Sequence, residues 1–333
     1  MMQQSARLMS FFVPGHEMQE AQNKLEAFRL FAFVDQELRF PPHRAETLPA
    51  LVRRAMALGH YTRIWALEGV SHYFMDAIDL NQPLSGLLAN PELPDCAMVS
   101  MHAGMGTAFA GKILAELAAA PSKAQLRHAL ERFLEICRSN ARPGWYENAI
   151  EPIGLAARTL HSGTLMQLSD AIAEIDINAR RLFWHGVGRS LYFVPTNFVT
   201  VGGAHERALR AAIDEAPTIE DRRNAVAGLV WAVTLVNVRH PAVLKNLLAA
   251  AEGIRMRDAV TNGIVSALML WKQMVPEDAQ FLPAYSRLAP GSGREARLWN
   301  EQVVAASSNA FARIFPALIE QGRIASVFQY REM

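Results

Sequence analysis

Apolar residues recur along most of the chain at the three- and four-residue spacing of a helix face, and short polar or proline-containing stretches separate these segments. The pattern predicts about a dozen helices and little strand, and therefore an all-α protein. Residues 96–117 are apolar nearly all round and are predicted to form a buried helix. A buried strand at 97–102 is the alternative, because periodicity cannot separate the two over so short a run. A loop or short extended segment is predicted at 195–203 and a long loop at 275–294, where proline and glycine interrupt the pattern.

The first and last predicted helices carry specific expectations. The first covers 17–36. Its core-facing side is predicted to consist of apolar residues, namely Leu25, Phe28, Phe31 and Ala32. Its solvent side is predicted to carry Glu17, Glu20 and Lys24. The last helix is predicted at 295–322, with a break at Pro316 because proline lacks the amide hydrogen.

One short motif occurs twice, at 65–74 (WALEGVSHYF) and at 183–193 (FWHGVGRSLYF), with a weaker third copy at 261–269 (TNGIVSALM). In each copy a polar residue precedes a glycine and a second polar residue follows three places after it. These pairs are Glu68 with His72, His185 with Arg189, and Asn262 with Ser266. Residues four apart lie on one helix face, so each copy predicts a polar pair within an apolar helix.

The two clear copies indicate an internal duplication. Each is followed, at nearly the same interval, by a second helix rich in small residues, around Gly104 and Gly228 respectively. We therefore predict a single all-α domain over 1–333, with pseudo-repeats at about 45–160 and 163–275 that share one core. The alternative is that any two helices rich in alanine and glycine would match as well.

The composition narrows the classes of partner. The 333 residues are 51% hydrophobic and 20% charged, and the net charge is +1. Without a basic stripe, no nucleic-acid partner is expected. The two cysteines do not make a disulfide framework or a zinc ribbon. The longest apolar stretch, 225–238, is shorter than the roughly 20 residues of a membrane span. With no secretory signal recognised, a cytoplasmic location is expected, and homo-oligomer formation stays open.

Several common reaction classes lack their motifs. The sequence has no phosphate-binding P-loop, no dinucleotide fingerprint after a strand and no Gly-x-Ser-x-Gly elbow. It also has no His-Glu-x-x-His metal motif. Chemistry based on ATP, nicotinamide or a serine nucleophile is therefore not expected, and the leading interpretation includes neither a cofactor nor a metal.

The duplicated polar pairs are the candidate site. Glu68 and His72 are predicted to act as acid–base groups, and His185 and Arg189 to bind or polarise a substrate oxygen. Further residues near these pairs are predicted to bind the substrate. They are Trp65, Asp76, His102, Trp184, Tyr192 and Trp231. Together these residues predict a mostly apolar pocket with a few convergent polar groups.

Three other interpretations of these and nearby charged residues stay open. Glu68 and Arg189 could form a buried ion pair whose role is structural. Glu68, His72 and Asp76, spaced four apart, could instead ligate a metal. Glu147, Glu151 and Arg158 could be a second acid–base cluster or, as the simpler interpretation, a salt-bridged helix face.

Three blocks of the chain, at 65–70 (WALEGV), 101–106 (MHAGMG) and 184–193 (WHGVGRSLYF), resemble a bacterial family of unknown function. Members of that family occur in enediyne and other polyketide biosynthetic gene clusters. The resemblance extends from residues 11–15 (FFVPG) to about residue 240, and the block at 184–193 is its most specific part. It implies a role in specialised metabolism, but it brings no established reaction and no catalytic residues.

Taken together, the sequence predicts an enzyme that binds an apolar, polyketide- or terpene-like intermediate in a helical pocket. The predicted chemistry is non-redox cyclisation or isomerisation by acid–base groups. Two alternatives belong to other classes: a non-catalytic carrier of such a molecule, and a helical scaffold for partner enzymes.

Overall fold

The computed structural model describes residues 15–36, 47–82, 84–117, 120–198, 202–288 and 293–330. Within these ranges the chain is helical and contains no strand. The α-helices are α1 (Gly15–Gln36), α2 (Leu48–Met56), α3 (His60–Asp76), α4 (Met98–Ala115), α5 (Lys123–Asn140), α6 (Tyr146–Ile150), α7 (Pro152–Leu160), α8 (Leu165–Ile175), α9 (Ile177–Leu191), α10 (Pro195–Phe198), α11 (Ala204–Asp214), α12 (Ile219–Val236), α13 (Val243–Ala251), α14 (Arg257–Met274), α15 (Phe281–Arg287), α16 (Arg294–Trp299), α17 (Ala306–Asn309) and α18 (Phe315–Glu320). The all-α prediction is confirmed.

The centre of the fold consists of helices that are apolar on nearly every side. α3 packs on α4, α9 packs on α12, and α12 also packs on α14. One continuous set of buried side chains extends from Ala27 to Tyr330. A helix that is apolar all round is stable only when neighbours cover it, which explains why these helices occupy the middle. None of the described helices combines the length and the apolarity that crossing a bilayer requires.

Two predicted loops contain short helices, and the alternative of a strand at 97–102 is wrong. The residues at 97–102 are not a strand, because they begin the 18-residue helix α4, whose small side chains let neighbouring backbones approach closely. The predicted loop at 275–294 contains α15. Asp278 starts that helix by accepting hydrogen bonds from the backbone amides of Gln280 and Phe281. A side-chain cap of this kind stabilises a short helix that hydrophobic periodicity does not reveal. The predicted loop at 195–203 likewise contains α10.

The first helix buries two residues that were predicted to face solvent, Glu20 and Lys24. Its buried positions are Glu20, Asn23, Lys24 and Ala27, the spacing of an ordinary core-facing stripe. Glu20 and Lys24 are each only 1% exposed, whereas Phe28 is 46% exposed and Leu25 is also exposed. The side chain of Ala32 lies outside the described residues. Polar partners on other helices, described below, account for the burial of Glu20 and Lys24.

The last helical segment, 294–320, continues through Pro316 instead of breaking there. It contains two π-helical stretches, Asn300–Ala305 and Ala310–Ile314, and Pro316 follows the second of them. A proline cannot donate to the preceding turn, and a widened turn accommodates the missing hydrogen bond without ending the helix.

Candidate functional site

Four charged or polar side chains meet in the interior where α3, α7 and α9 come together. Arg189 donates from Nη2 to Oε1 of Glu68 at 2.7 Å and from Nη1 to Oε2 of Glu151 at 3.1 Å. The other oxygen of Glu151, Oε1, lies 3.0 Å from Nδ1 of His185. We call Glu68, Glu151, His185 and Arg189 the ionic network. The pairing of Glu68 with Arg189, one of the alternatives raised by the sequence, is present.

Two members of the network, Arg189 and Glu151, are held in ionised form against the effect of burial. Burial lowers the pKa of Arg189, but the adjacent carboxylates of Glu68 and Glu151 outweigh it and raise that pKa above its usual range. Burial likewise raises the pKa of Glu151, yet Arg189 and the hydrogen bond from His185 bring it below its ordinary value. Arg189 and Glu151 therefore stabilise each other's charge inside an apolar core.

Glycines on neighbouring helices fix the backbone of the network. A Cβ atom at Gly104 would lie 2.2 Å from the Glu68 carbonyl oxygen, and one at Gly228 would lie 1.9 Å from that of His185. These separations are far below van der Waals contact, so only glycine allows the helices to cross this closely. The two crossings involve matching positions of the two motif copies. The internal duplication itself stays a prediction.

His185 and Trp231 lie on the inner side of Arg189. The ring of Trp231 is 5.4 Å from the Arg189 guanidinium, within the range of a cation–π contact. The rings of Trp231 and Phe328 meet the His185 imidazole edge-on, at 6.0 and 5.2 Å between centroids. Nε2 of His185 is buried and has no hydrogen-bond partner among the described residues. His185 therefore orients Glu151 through Nδ1 while its other nitrogen lies among aromatic rings.

A cavity of about 540 Å³ adjoins the other side of the network. Most of its wall is apolar and comes from α1, α3, α7 and the end of α9. These residues are Ala27, Phe28, Phe31, Trp65, Leu155, Phe193, Val194 and Pro195. The volume and the lining match those of pockets that bind small molecules in other proteins.

Among the described residues, three charged side chains face this cavity: Glu68, Arg189 and Arg158. Arg158 already donates from Nε and Nη2 to the two carboxylate oxygens of Glu215, at 2.6 and 2.9 Å. Glu68 uses Oε1 for Arg189, and its second oxygen, Oε2, has no hydrogen-bond partner among the described residues. Glu68 therefore presents the one carboxylate oxygen on this wall that a ligand can reach without displacing a protein group.

The structure brings together only part of the predicted site. Glu68, Arg189 and Trp65 line the cavity, and His185 and Trp231 lie behind Arg189. His72 does not line it; its ring packs against Phe31 with 5.3 Å between centroids. Burial lowers the pKa of His72, although Asp76 and Glu68 act in the opposite direction. Asp76 is exposed at the end of α3 and is also outside the cavity.

Three of the predicted substrate-binding residues are engaged elsewhere. Nδ1 of His102 lies 2.8 Å from the Met98 carbonyl oxygen, and its Nε2 accepts from the Arg142 amide at 3.0 Å. Burial lowers the pKa of His102 to about 3, so it is a neutral histidine with both ring nitrogens occupied. Trp184 donates its indole N–H to Ser169 Oγ at 2.9 Å. Neither residue, nor Tyr192, lines the cavity.

Glu151 is the network residue that the sequence did not assign. It was grouped with Glu147 and Arg158 as one helix face, but its partners are Arg189 and His185, and Arg158 pairs with Glu215. The available signal was the charged residue directly before Pro152, at the start of an otherwise apolar helix. Nothing in the spacing shows that this carboxylate and Arg189, 38 residues later, meet.

The residues of the proposed metal alternative are not gathered into a ligand set. Within the described ranges, no group of three or more histidine, cysteine, aspartate or glutamate side chains has the arrangement to hold a metal ion. Glu68 is committed to Arg189, and Asp76 is turned to the surface.

A second buried polar cluster holds α1 in place. His205 Nε2 lies 2.9 Å from Glu20 Oε1, and Lys24 donates to the Asn197 carbonyl oxygen at 2.7 Å while lying 3.8 Å above the Tyr192 ring. Asn237 joins the cluster by accepting from Asn23 at 2.7 Å and donating to the Tyr192 hydroxyl at 2.8 Å. We call the set formed by Glu20, Asn23, Lys24, Tyr192, Asn197, His205 and Asn237 the α1 cluster. None of its members lines the cavity.

Burial lowers the pKa of Lys24 to about 8, although Glu20 acts in the opposite direction. The pKa of Glu20 is raised by burial but is brought below its ordinary value by His205 and Lys24. The α1 cluster therefore replaces the apolar face expected of this helix.

Comparison of the chain with protein-family models, with curated proteins and with solved structures finds no match in any of the three.

Proposed function

We infer that the protein binds an apolar small molecule in the 540 Å³ cavity, with the carboxylate of Glu68 as the polar contact. The observation that carries this inference is the combination of a largely aromatic and aliphatic wall with one carboxylate oxygen that has no protein partner. An apolar cavity with a few convergent polar groups is the usual form of a small-molecule site. The resemblance to a biosynthetic-cluster family supports specialised metabolism as the setting.

Binding can be tested by a substitution in α7 that places a larger side chain in the cavity. Leu155 and Leu160 both belong to α7, but Leu155 lines the cavity and Leu160 is exposed. We expect Leu155→Trp to lower the affinity for 2-naphthylmethanol at least ~10-fold in a calorimetric titration, and Leu160→Trp to leave it within ~2-fold. Native mass spectrometry of the purified protein would add the mass of any molecule that copurifies. Equal affinities in the two variants would contradict binding in this cavity.

The second candidate is a non-redox isomerase or cyclase that works on the bound molecule. It is favoured by the position of Glu68, because a carboxylate that faces an apolar cavity can accept a proton from a ligand and return it elsewhere. In this interpretation Arg189 positions Glu68. The direct oxygen-binding role predicted for Arg189 and His185 is not included, because both Nη atoms of Arg189 and Nδ1 of His185 are occupied.

Turnover of a copurifying molecule separates catalysis from binding. We expect Glu68→Gln to abolish turnover while the folded fraction and ligand binding persist, because glutamine keeps the shape but cannot take up a proton at neutral pH. His72→Ala is the matched control on the same helix, since His72 lies outside the cavity. A Glu68→Gln variant with full turnover would exclude acid–base catalysis by this residue.

A further inference from the structure

We propose that the ligand of the cavity is a lipophilic cation, such as a protonated amine on an apolar skeleton, and that the cavity discriminates against anions. This inference rests on the proposed function and adds the charge of the ligand to it. Two observations carry it. Three carboxylates surround the two guanidinium groups next to the cavity, and one oxygen of the carboxylate that lines the cavity is unpaired among the described residues.

Both guanidinium groups that face the cavity are already engaged. Arg189 donates from each terminal nitrogen to a different carboxylate, and Arg158 is held in a two-point contact by Glu215. The positive charge of each guanidinium group is therefore already balanced by protein carboxylates, so a carboxylate or phosphate ligand gains little net attraction from it. An anion that drew either guanidinium away would leave its carboxylate without a cation near an apolar wall, which is costly.

The carboxylates are not equally engaged. Three of them, Glu68, Glu151 and Glu215, surround the two guanidinium groups. Glu151 uses one oxygen for Arg189 and the other for His185, and Glu215 uses both for Arg158. Glu68 alone keeps an oxygen, Oε2, without a hydrogen-bond partner among the described residues, and Glu68 lines the cavity. An N–H donor with a positive charge is the natural partner of such an oxygen.

The aromatic lining adds to this preference. Phe28, Phe31, Trp65 and Phe193 all line the cavity, and the rings of Phe28 and Phe193 meet edge to face at 5.2 Å. Aromatic faces attract cations through their quadrupole, most strongly when water is excluded. An apolar cage of this type with one carboxylate accommodates the ammonium group and the hydrocarbon of the same molecule.

The experiment compares three ligands that share one ring system and differ in charge: 2-naphthylmethylamine, 2-naphthylmethanol and 2-naphthoate. Calorimetric titration of the full chain at pH 7 is expected to show the amine binding at least ~10-fold tighter than the alcohol, and the carboxylate binding most weakly. Glu68→Gln is expected to remove at least ~10-fold of the amine affinity while the alcohol stays within ~3-fold.

Two further variants keep the test decisive if Glu68→Gln does not fold. Phe28→Leu retains apolar volume but removes an aromatic face, so the amine is expected to lose ~3-fold or more and the alcohol less than ~2-fold. Glu215→Gln releases Arg158, which lines the cavity, so naphthoate affinity is expected to rise ~5-fold or more.

The outcomes distinguish a failure of the cation preference from a failure of ligand binding in the cavity. If the alcohol binds in the cavity and the amine binds no tighter, the preference for a cation is wrong and the proposed binding function stands. If naphthoate binds the wild-type protein most tightly, the preference has the opposite sign and the inference is overturned. If Leu155→Trp leaves the binding of all three ligands unchanged, the proposed function itself is contradicted.

Discussion

Two of the clusters in which the described residues bury charged side chains, the ionic network and the α1 cluster, differ in how they are built. In the ionic network, helices cross at glycines and carry their charges into a core packed backbone to backbone. In the α1 cluster, a peripheral helix is attached by side chains alone, with Glu20 and Lys24 turned inward. The network borders the cavity and the α1 cluster does not.

The same difference is visible in the pKa values of the two cations. The pKa of Arg189 is raised because its carboxylates outweigh burial, whereas the pKa of Lys24 is lowered to about 8 because burial outweighs Glu20. A buried cation with a raised pKa is stabilised by the fold, and a buried cation with a lowered pKa is tolerated at a cost. We therefore expect the ionic network to contribute more to the free energy of unfolding than the α1 cluster, whose contribution should depend on pH.

Removing the cation from the network should have the largest effect. Arg189→Met leaves the carboxylates of Glu68 and Glu151 buried without their cation, and we expect a loss of about 3–5 kcal/mol in the free energy of unfolding. The measurement is urea denaturation followed by circular dichroism. Arg158→Met is the matched control, because this partly exposed pair with Glu215 should contribute less than about 1 kcal/mol. Similar losses in both variants would show that the ionic network contributes no more to stability than a partly exposed ion pair.

The next largest effect should come from a single methyl group at a helix crossing. Gly228→Ala would place Cβ 1.9 Å from the His185 carbonyl oxygen, and we expect a loss of roughly 3 kcal/mol as α9 and α12 move apart. Gly111→Ala in α4 meets nothing within 4 Å, so it should gain up to about 1 kcal/mol from helix propensity. Both variants are compared by urea denaturation, and a stable Gly228→Ala would refute the close crossing.

A smaller effect should distinguish the α1 cluster from the network by its pH dependence. Between pH 8 and 10.5 the unfolded chain keeps the proton on Lys24 while the folded state has lost it, so stability rises with pH over this window. We expect the wild-type protein to gain roughly 1–3 kcal/mol relative to Lys24→Met across that range.

At pH 7 the same Lys24→Met substitution should change stability by no more than about 1 kcal/mol, because relief of the burial cost offsets the lost contact with Glu20. Urea denaturation at a series of pH values measures both quantities. A loss at pH 7 as large as that of Arg189→Met would abolish the distinction between the two clusters.

The smallest effect on stability should accompany a clear effect on binding. Phe28 is half-exposed on α1 and lines the cavity, so Phe28→Ala should cost less than about 1 kcal/mol of stability but weaken 2-naphthylmethanol binding ~5-fold. Leu25→Ala, an exposed apolar residue one turn earlier that does not line the cavity, is the control. Unchanged binding in Phe28→Ala would mean that α1 does not form part of the site.

The sequence by itself determined the helical class, most helix positions and the polar pairs that contribute Glu68, His185 and Arg189. Helical periodicity and a motif of adjacent residues are local properties, and local properties can be read along a chain. The motif also carries the glycines that allow close crossings, although the partner of each glycine is not local information.

Only the tertiary structure decided which polar residues meet. The buried face of α1 was predicted wrongly because apolar periodicity assumes an apolar core. Here His205, Asn197 and Asn237 provide polar partners from distant segments of the chain. The assignment of Glu151 to Arg189, and not to a surface helix face, has the same origin. The free energy of burying a charge depends on its partners, and partners brought together by folding leave no spacing in the sequence.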